Sequence, residues 1–173
     1  MKRRAFTLIE VLVVIAIISI LLALVIAGGA AARRKARGDS ARAQFQSIFA
    51  ALDAYRSRYG VYPPDASASL AAARTESAKA LYDYLGPPRR AGNATPFLPP
   101  GEDQIGEANG VKFLRDPWGN PWVYLSKSDG DPPPSRHPAR GADLVSPGPD
   151  GLASDAWLQG GAAAPEDADN ISD

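Results

Sequence analysis

From Val11 to Ala32 the chain carries about 22 residues without a charge, most of them Val, Ile, Leu or Ala. At about 1.5 Å per residue, a helix of that length covers roughly 30 Å, the hydrocarbon thickness of a bilayer. Lys2, Arg3 and Arg4 precede the run, and Arg33, Arg34, Lys35 and Arg37 follow it. Both flanks are basic, so the charge count does not orient the segment, although the second cluster is a stop-transfer signal. Past that cluster, Ala41, Phe45, Ile48, Leu52, Tyr55 and Tyr59 recur at steps of four and three. They share one face of an amphipathic helix that continues the first and turns its stripe toward a core. Gly60 and the Pro63-Pro64 pair stop it. Inside the apolar run, Gly28-Gly29 interrupts the helix pattern, weakening it by about 1 kcal/mol per glycine relative to Ala, and is expected to be the soft spot that bends or unwinds when the helix leaves the bilayer.

The remaining pattern predicts smaller elements. "SASLAAARTESAKALYDYLG" forms a short helix ending near Gly86, with Ser67 or Ser69 as its cap. "PPRRAGNATPFLPPGEDQIGEANG" reads as loop, with Arg89-Arg90 on its surface. "VKFLRDPWGNPWVYLS" reads as two strands around a turn: Val111, Phe113, Trp122 and Tyr124 alternate, while Asp116-Pro117 and Gly119-Asn120 supply the turn chemistry. "ADLVS" adds a last strand. The expected class is α+β, a long N-terminal helix packed on a small antiparallel sheet.

One polar position breaks the first pattern. Glu10 places a carboxylate where the apolar helix begins. A carboxylate in lipid either snorkels to the interface or pairs with a cation in the same layer. A new α-amino group, freed by cutting just before Phe6 and offered by a neighbouring subunit, would be such a cation. An ordinary secretory signal fits less well, because the apolar run exceeds the usual core of such signals and Glu10 stands where that core would start.

Charge sharpens this picture. Net charge is zero over 173 residues, yet up to Arg42 there are eight basic residues against two acidic ones. Beyond Arg140 there is no Lys or Arg, while Asp143, Asp150, Asp155, Glu166, Asp167, Asp169 and Asp173 follow. That gradient fits membrane or head-to-tail electrostatics and lacks the basic folded face nucleic acid requires. Cysteine is absent, so no disulfide staples the chain, and a bound metal is the obvious substitute. The Gly- and Ala-rich C-terminal stretch holding Asp150, Asp167 and Asp169 is either a loop for a hard cation, which takes six to eight oxygens, or a solvated acidic tail. His137, the sole histidine, stands in "PPPSRHPARG" with no partner pattern for a triad, and no phosphate-binding loop is present. The chain is expected not to be an enzyme.

"RRAFTLIEVLVVIAII" resembles the type IV prepilin signal: a short basic leader, a small residue, Phe, then "TLIEV" opening the apolar helix. The resemblance implies that a prepilin peptidase cuts between Ala5 and Phe6 and N-methylates Phe6, and that Glu10 docks each subunit into a growing filament. Ala5 stands where that family usually has Gly. "YGVYP", "DPWGNPWVYLS" and "DLVSPGPDG" followed by "DADNISD" are similar to the major pseudopilins of type II secretion. That likeness implies a type IV pilin-like fold whose C-terminal loop holds a structural Ca²⁺. Asp150, Asp167 and Asp169 match its carboxylates, and Pro147 stands where a backbone carbonyl is donated. The insertion "LASDAWLQGGAAAP" is longer than the family's loop.

The implied organisation is a leader over 1–5, a transmembrane and filament-core helix over 6–32, an amphipathic spine over 33–59 and a head over 60–173. The implied role is a structural subunit of a pseudopilus, a homo-oligomeric filament raised from the inner membrane to drive folded proteins through the outer membrane. Its partners would be the prepilin peptidase, minor pseudopilins, an inner-membrane platform and a cytoplasmic ATPase. The protein would cross the membrane once and keep its head in the periplasm, with no nucleic-acid partner. A surface type IV pilin or minor pilin, for adhesion, motility or DNA uptake, is the alternative. Such pilins often close their C-terminal region with a disulfide, which this chain cannot form.

Overall fold

The computed structural model describes residues 7–64, 73–87, 95–126, 141–154, 165 and 168–172; within these, the side chains of 24–28, 30, 73 and 74 are left aside. The chain divides into two compact units, residues 1–38 and 39–173.

In the first unit the backbone is helical from Leu8 onward, as part of helix α1 (Leu8–Tyr59). Leu8, Ile9 and the apolar side chains from Val11 to Leu22 are exposed, each by about half or more. Burying this much aliphatic surface is favourable wherever water can be left behind. Among the described residues no helix is long and apolar enough to cross a membrane, the side chains of 24–28 and 30 being outside that description. At Gly28-Gly29, the soft spot expected to bend or unwind on leaving the bilayer, α1 runs through as one helix. A cost of about 1 kcal/mol per glycine is spread over many flanking helical bonds and does not break the ladder. Nothing lies within 4 Å of a Cβ built on Gly29.

The second unit is built on the last turns of α1. Ala41, Gln44, Ile48, Ala51 and Leu52 are buried, and Phe45 and Tyr55 half-buried, so the predicted stripe faces the core. Tyr59, its last member, is 53% exposed and packs its ring at a tilt against Tyr55, with Phe97 edge-on to both. Gly60 takes φ +82° and donates its N–H to the Arg56 carbonyl, ending α1 where the sequence placed its end. Helix α2 (Ala73–Leu85) follows; the caps proposed at Ser67 and Ser69 lie outside the described residues. Leu98 donates to the Leu85 carbonyl, pinning the next segment to the end of α2.

Four short strands complete the unit: β1 (Ile105–Ala108), β2 (Val111–Leu114), β3 (Val123–Ser126) and β4 (Ala142–Val145). β1 pairs antiparallel with β2, and β3 with β4. An Arg115–Pro121 bridge and the Trp122 N–H to Leu114 carbonyl bond join β2 to β3 around the Asp116–Asn120 turn. The loop expected across 87–110 is therefore corrected at its end, where β1 forms a hairpin through Asn109 (φ +51°) and Gly110 (φ +75°). An Asn-Gly pair with both residues at positive φ is the favoured hairpin turn.

Helix α2 lies against β2 and β3. The main core gathers Ile48, Leu52, Leu81, Leu85, Leu114, Trp122, Tyr124 and Leu144. The alternation expected around β3 holds, but both of its faces are covered, all four of its residues being buried. Trp122 and Tyr124 face the helices, while Val123 and Leu125 form a second small cluster with Val145 and Ala153. Ala153 belongs to the C-terminal stretch, so that stretch covers the sheet's other face. Two long-range bonds tie the layers: Tyr124 donates through its N–H to Ser77 Oγ at 3.2 Å and through its hydroxyl to the Pro63 carbonyl at 2.7 Å.

Candidate functional site

Two places carry the residues singled out in the sequence. The first is the start of α1. Thr7 precedes the helix, and Glu10 is its third residue. Glu10 Oε2 accepts the Thr7 backbone N–H and the Thr7 hydroxyl, both at 2.9 Å, while the Glu10 N–H donates to Thr7 Oγ1 at 3.3 Å. This is a capping box, in which N-cap and N3 side chains satisfy each other's backbone donors. Its signal, Thr-x-x-Glu, lies within "TLIE" and was legible; the apolar context drew attention to the charge instead. The carboxylate is also favourably placed at the positive end of the helix dipole. Both Thr7 bonds fall on Oε2. Ala5 and Phe6, the expected cleavage and methylation residues, lie outside the described residues.

The second place is the C-terminal segment after β4. Ser146 and Ile171 exchange both backbone bonds, N–H to carbonyl at 2.9 and 3.0 Å, so the chain end returns to extend the sheet. That bridge brings Gly148 against Asp169. A Cβ built on Gly148 would stand 2.6 Å from the Asp169 carbonyl oxygen and 3.1 Å from its Cγ, and Gly148 has φ +72°. Only glycine fits so close a backbone approach in that conformation. Pro147 is buried, whereas Asp150 is exposed and accepts the Leu152 N–H on Oδ1 at 2.8 Å. The fold thus puts Pro147 and Asp150 on one turn and seats Asp169 against it. Asp167 lies outside the described residues, and among the described residues no three His, Cys, Asp or Glu side chains group as for a metal. The donors present are carboxylates and backbone carbonyls in a close-packed glycine turn, the chemistry that hard cations such as Ca²⁺ take.

What holds this turn in place is a residue the sequence offered only as turn chemistry. Asp116 is 2% exposed. Its Oδ1 accepts the N–H groups of Trp118 and Asn120 at 3.0 and 2.8 Å, and its Oδ2 accepts the Ser146 hydroxyl at 2.6 Å. Burial pushes its carboxyl above the usual carboxylate range, against the opposing pull of these bonds. Ser146 Oγ in turn accepts the Gly148 N–H at 3.2 Å, and Asn120 Nδ2 donates to the Gly148 carbonyl at 2.6 Å. The "DPWGN" turn and the C-terminal turn are one hydrogen-bonded body. The pairing spans 30 residues of sequence for Ser146 with Asp116, which no local spacing signals.

Residues 1–26 match the family described as prokaryotic N-terminal methylation motif. Over 151 residues, 87% of this chain and 84% of the relative, the sequence is 30% identical to the type II secretion system core protein G of Escherichia coli (strain K12). With its helix packed on a small antiparallel sheet and its N-terminal methylation motif, the chain belongs to the type II secretion system core protein G family.

Proposed function

We propose that the chain is a structural subunit of a type II secretion pseudopilus, assembled from the inner membrane to drive folded proteins through the outer membrane. The observation that carries this is the 30% identity to core protein G over 87% of the chain, joined to a methylation motif spanning residues 1–26. The partners are further copies of the chain in a filament, minor pseudopilins, the prepilin peptidase, and the inner-membrane platform with its ATPase. The charge-free run from Val11 to Ala32 anchors the subunit once in the inner membrane, and the unit from Asp39 onward is periplasmic.

In this reading the peptidase cuts between Ala5 and Phe6 and methylates Phe6. Glu10 Oε2 stays with Thr7, and Oε1 is offered to the Phe6 amine of a neighbour. A charge-assisted bond of that kind gains strength where lipid excludes water. The turn at Pro147–Asp150, with Asp167 and Asp169, holds one Ca²⁺ through carboxylates and the Pro147 carbonyl; bound there, the ion would tie the chain's C-terminal end to the sheet. N-terminal sequencing and mass of the mature protein test the reading. A first residue of N-methylated Phe6 supports it, and any other start overturns the filament role.

A further inference from the structure

Asn120 stands between the two glycines of the C-terminal turn. Its Nδ2 donates to the Gly148 carbonyl at 2.6 Å, and its Oδ1 lies 3.0 Å from where a Gly151 Cβ would be. Gly151 also has φ +71°, and its N–H reaches the Gly148 carbonyl at 3.4 Å. The turn therefore closes around one side-chain amide. That amide is aimed by its own backbone, whose N–H donates to Asp116 Oδ1 and whose carbonyl accepts the Asp116 N–H, both at 2.8 Å. Asp116 is fixed by burial and by Ser146, which also takes the Gly148 N–H. Gly148 is thus held at both its N–H and its carbonyl by groups anchored on Asp116, the buried residue of the "DPWGN" turn.

We propose that Asn120, aimed by the buried Asp116–Ser146 pair, is a positioning residue that sets the Pro147–Gly151 turn in its cation-ready shape before any cation arrives. The cation part rests on the Ca²⁺ reading above; the shaping of the turn does not. Preorganisation of this kind matters because flexible ligands lose freedom on binding, and outer-shell partners of metal ligands commonly change affinity by about 10–100-fold when removed.

The test uses the full-length protein in detergent micelles. It compares wild type, Asn120→Ala and Leu81→Ala, the last a truncation in the main core remote in sequence from the turn. Amide hydrogen exchange is followed in chelator at Ser146, Gly151 and Ile171, and Ca²⁺ affinity by calorimetry. Asn120→Ala is expected to speed exchange at those amides and to weaken Ca²⁺ binding by at least about tenfold. Leu81→Ala, at a temperature where it stays folded, should alter neither. Should Asn120→Ala fail to fold, Ser146→Ala cuts the same bridge at its other end and is read at the same amides. Unchanged exchange in the bridge variant, or an equal change in Leu81→Ala, overturns the proposal. If wild type takes up no Ca²⁺, the cation reading fails, and the exchange data alone decide whether Asn120 shapes the turn.

Discussion

Ser146 Oγ donates a 2.6 Å hydrogen bond to Asp116 Oδ2, joining the end of β4 to the turn between β2 and β3 inside a site sealed from water. Removing the donor leaves a buried carboxylate oxygen without that bond. Hydrogen bonds to charged groups contribute about 1.5–3 kcal/mol. Ser146→Ala is therefore expected to lower stability by an amount in that range, with the methyl adding no steric conflict. Chemical denaturation in micelles checks it, and a loss below about 0.5 kcal/mol, typical of surface changes, would mean that the bond carries no weight.

The same carboxyl sets a pH dependence with an unusual sign. Burial raises the folded-state pKa of Asp116 above its ordinary value of 3.8, with the Ser146 hydroxyl and the N–H groups of Asn120, Trp118 and Gly119 pulling the other way. A carboxyl whose folded pKa exceeds its unfolded one binds its proton more tightly when folded. Its contribution to stability therefore grows as pH falls through the folded pKa toward the unfolded value, and is lost as pH rises again. Asp116→Asn cannot take up that proton. The melting temperature of wild type minus that of Asp116→Asn should widen in favour of wild type between about pH 7 and about pH 4, other carboxylates cancelling in the difference. A gap that stays constant or narrows would contradict the assignment.

Two glycines at similar φ separate backbone strain from close contact. Gly110 (φ +75°) has nothing within 4 Å of an added Cβ, whereas at Gly148 (φ +72°) that atom would strike the Asp169 backbone. Gly110→Ala should cost only the left-handed penalty of roughly 1–2 kcal/mol. Gly148→Ala should cost clearly more and free the Ser146–Ile171 bridge, seen as faster exchange of the Ile171 amide. Equal losses at the two positions would show that the chain end does not need its close approach to the turn.

How much of this was legible depends on range. The α1 stripe from Ala41 to Tyr55 and its stop at Gly60 are local patterns, and they emerge as read. β1 was missed although Asn109-Gly110 announces a hairpin, because prolines and glycines before it made the whole stretch look like loop. The burial of both faces of β3 could not be read from its alternation, since Ala153, which covers Val123 and Leu125, lies far along the chain. Asp116 looked like an ordinary turn residue for the same reason: its decisive partner is Ser146. Glu10 was visible as an outlier, and the Thr-x-x-Glu spacing that pairs it with Thr7 was there to be read as well; the structure shows that bond made.

Metal removal is a direct check on the C-terminal turn. A ligand bound only by the folded state adds about 2.7 kcal/mol at a hundredfold excess over its Kd. The full-length protein in micelles is expected to melt lower in chelator than in Ca²⁺. Asp150→Ala should melt low in both, having lost a carboxylate that the turn presents to solvent. Identical melting of wild type with and without Ca²⁺ would remove the cation from the picture.

The capping box gives a way to separate two roles of Glu10 that truncation would confuse. Glu10→Ala removes both the cap on Thr7 and the charge, so a loss of filaments could reflect a frayed helix start. Glu10→Gln keeps an acceptor oxygen for the Thr7 N–H and hydroxyl, since Gln serves in capping boxes as Glu does, but it carries no charge to meet a neighbour's amine. Thr7→Ala does the reverse, keeping the charge and removing the hydroxyl that the carboxylate accepts. If docking depends on charge, Glu10→Gln should insert and be processed normally, retain helical amide protection at the start of α1, and yet fail to enter filaments. Thr7→Ala should lose protection at the first turn while its carboxylate remains available to a neighbour, so filament yield should fall less. Crosslinking between subunits, read beside amide exchange at Leu8–Val11, distinguishes the cases. Filaments formed by Glu10→Gln at the wild-type level would make the residue a helix cap and nothing more.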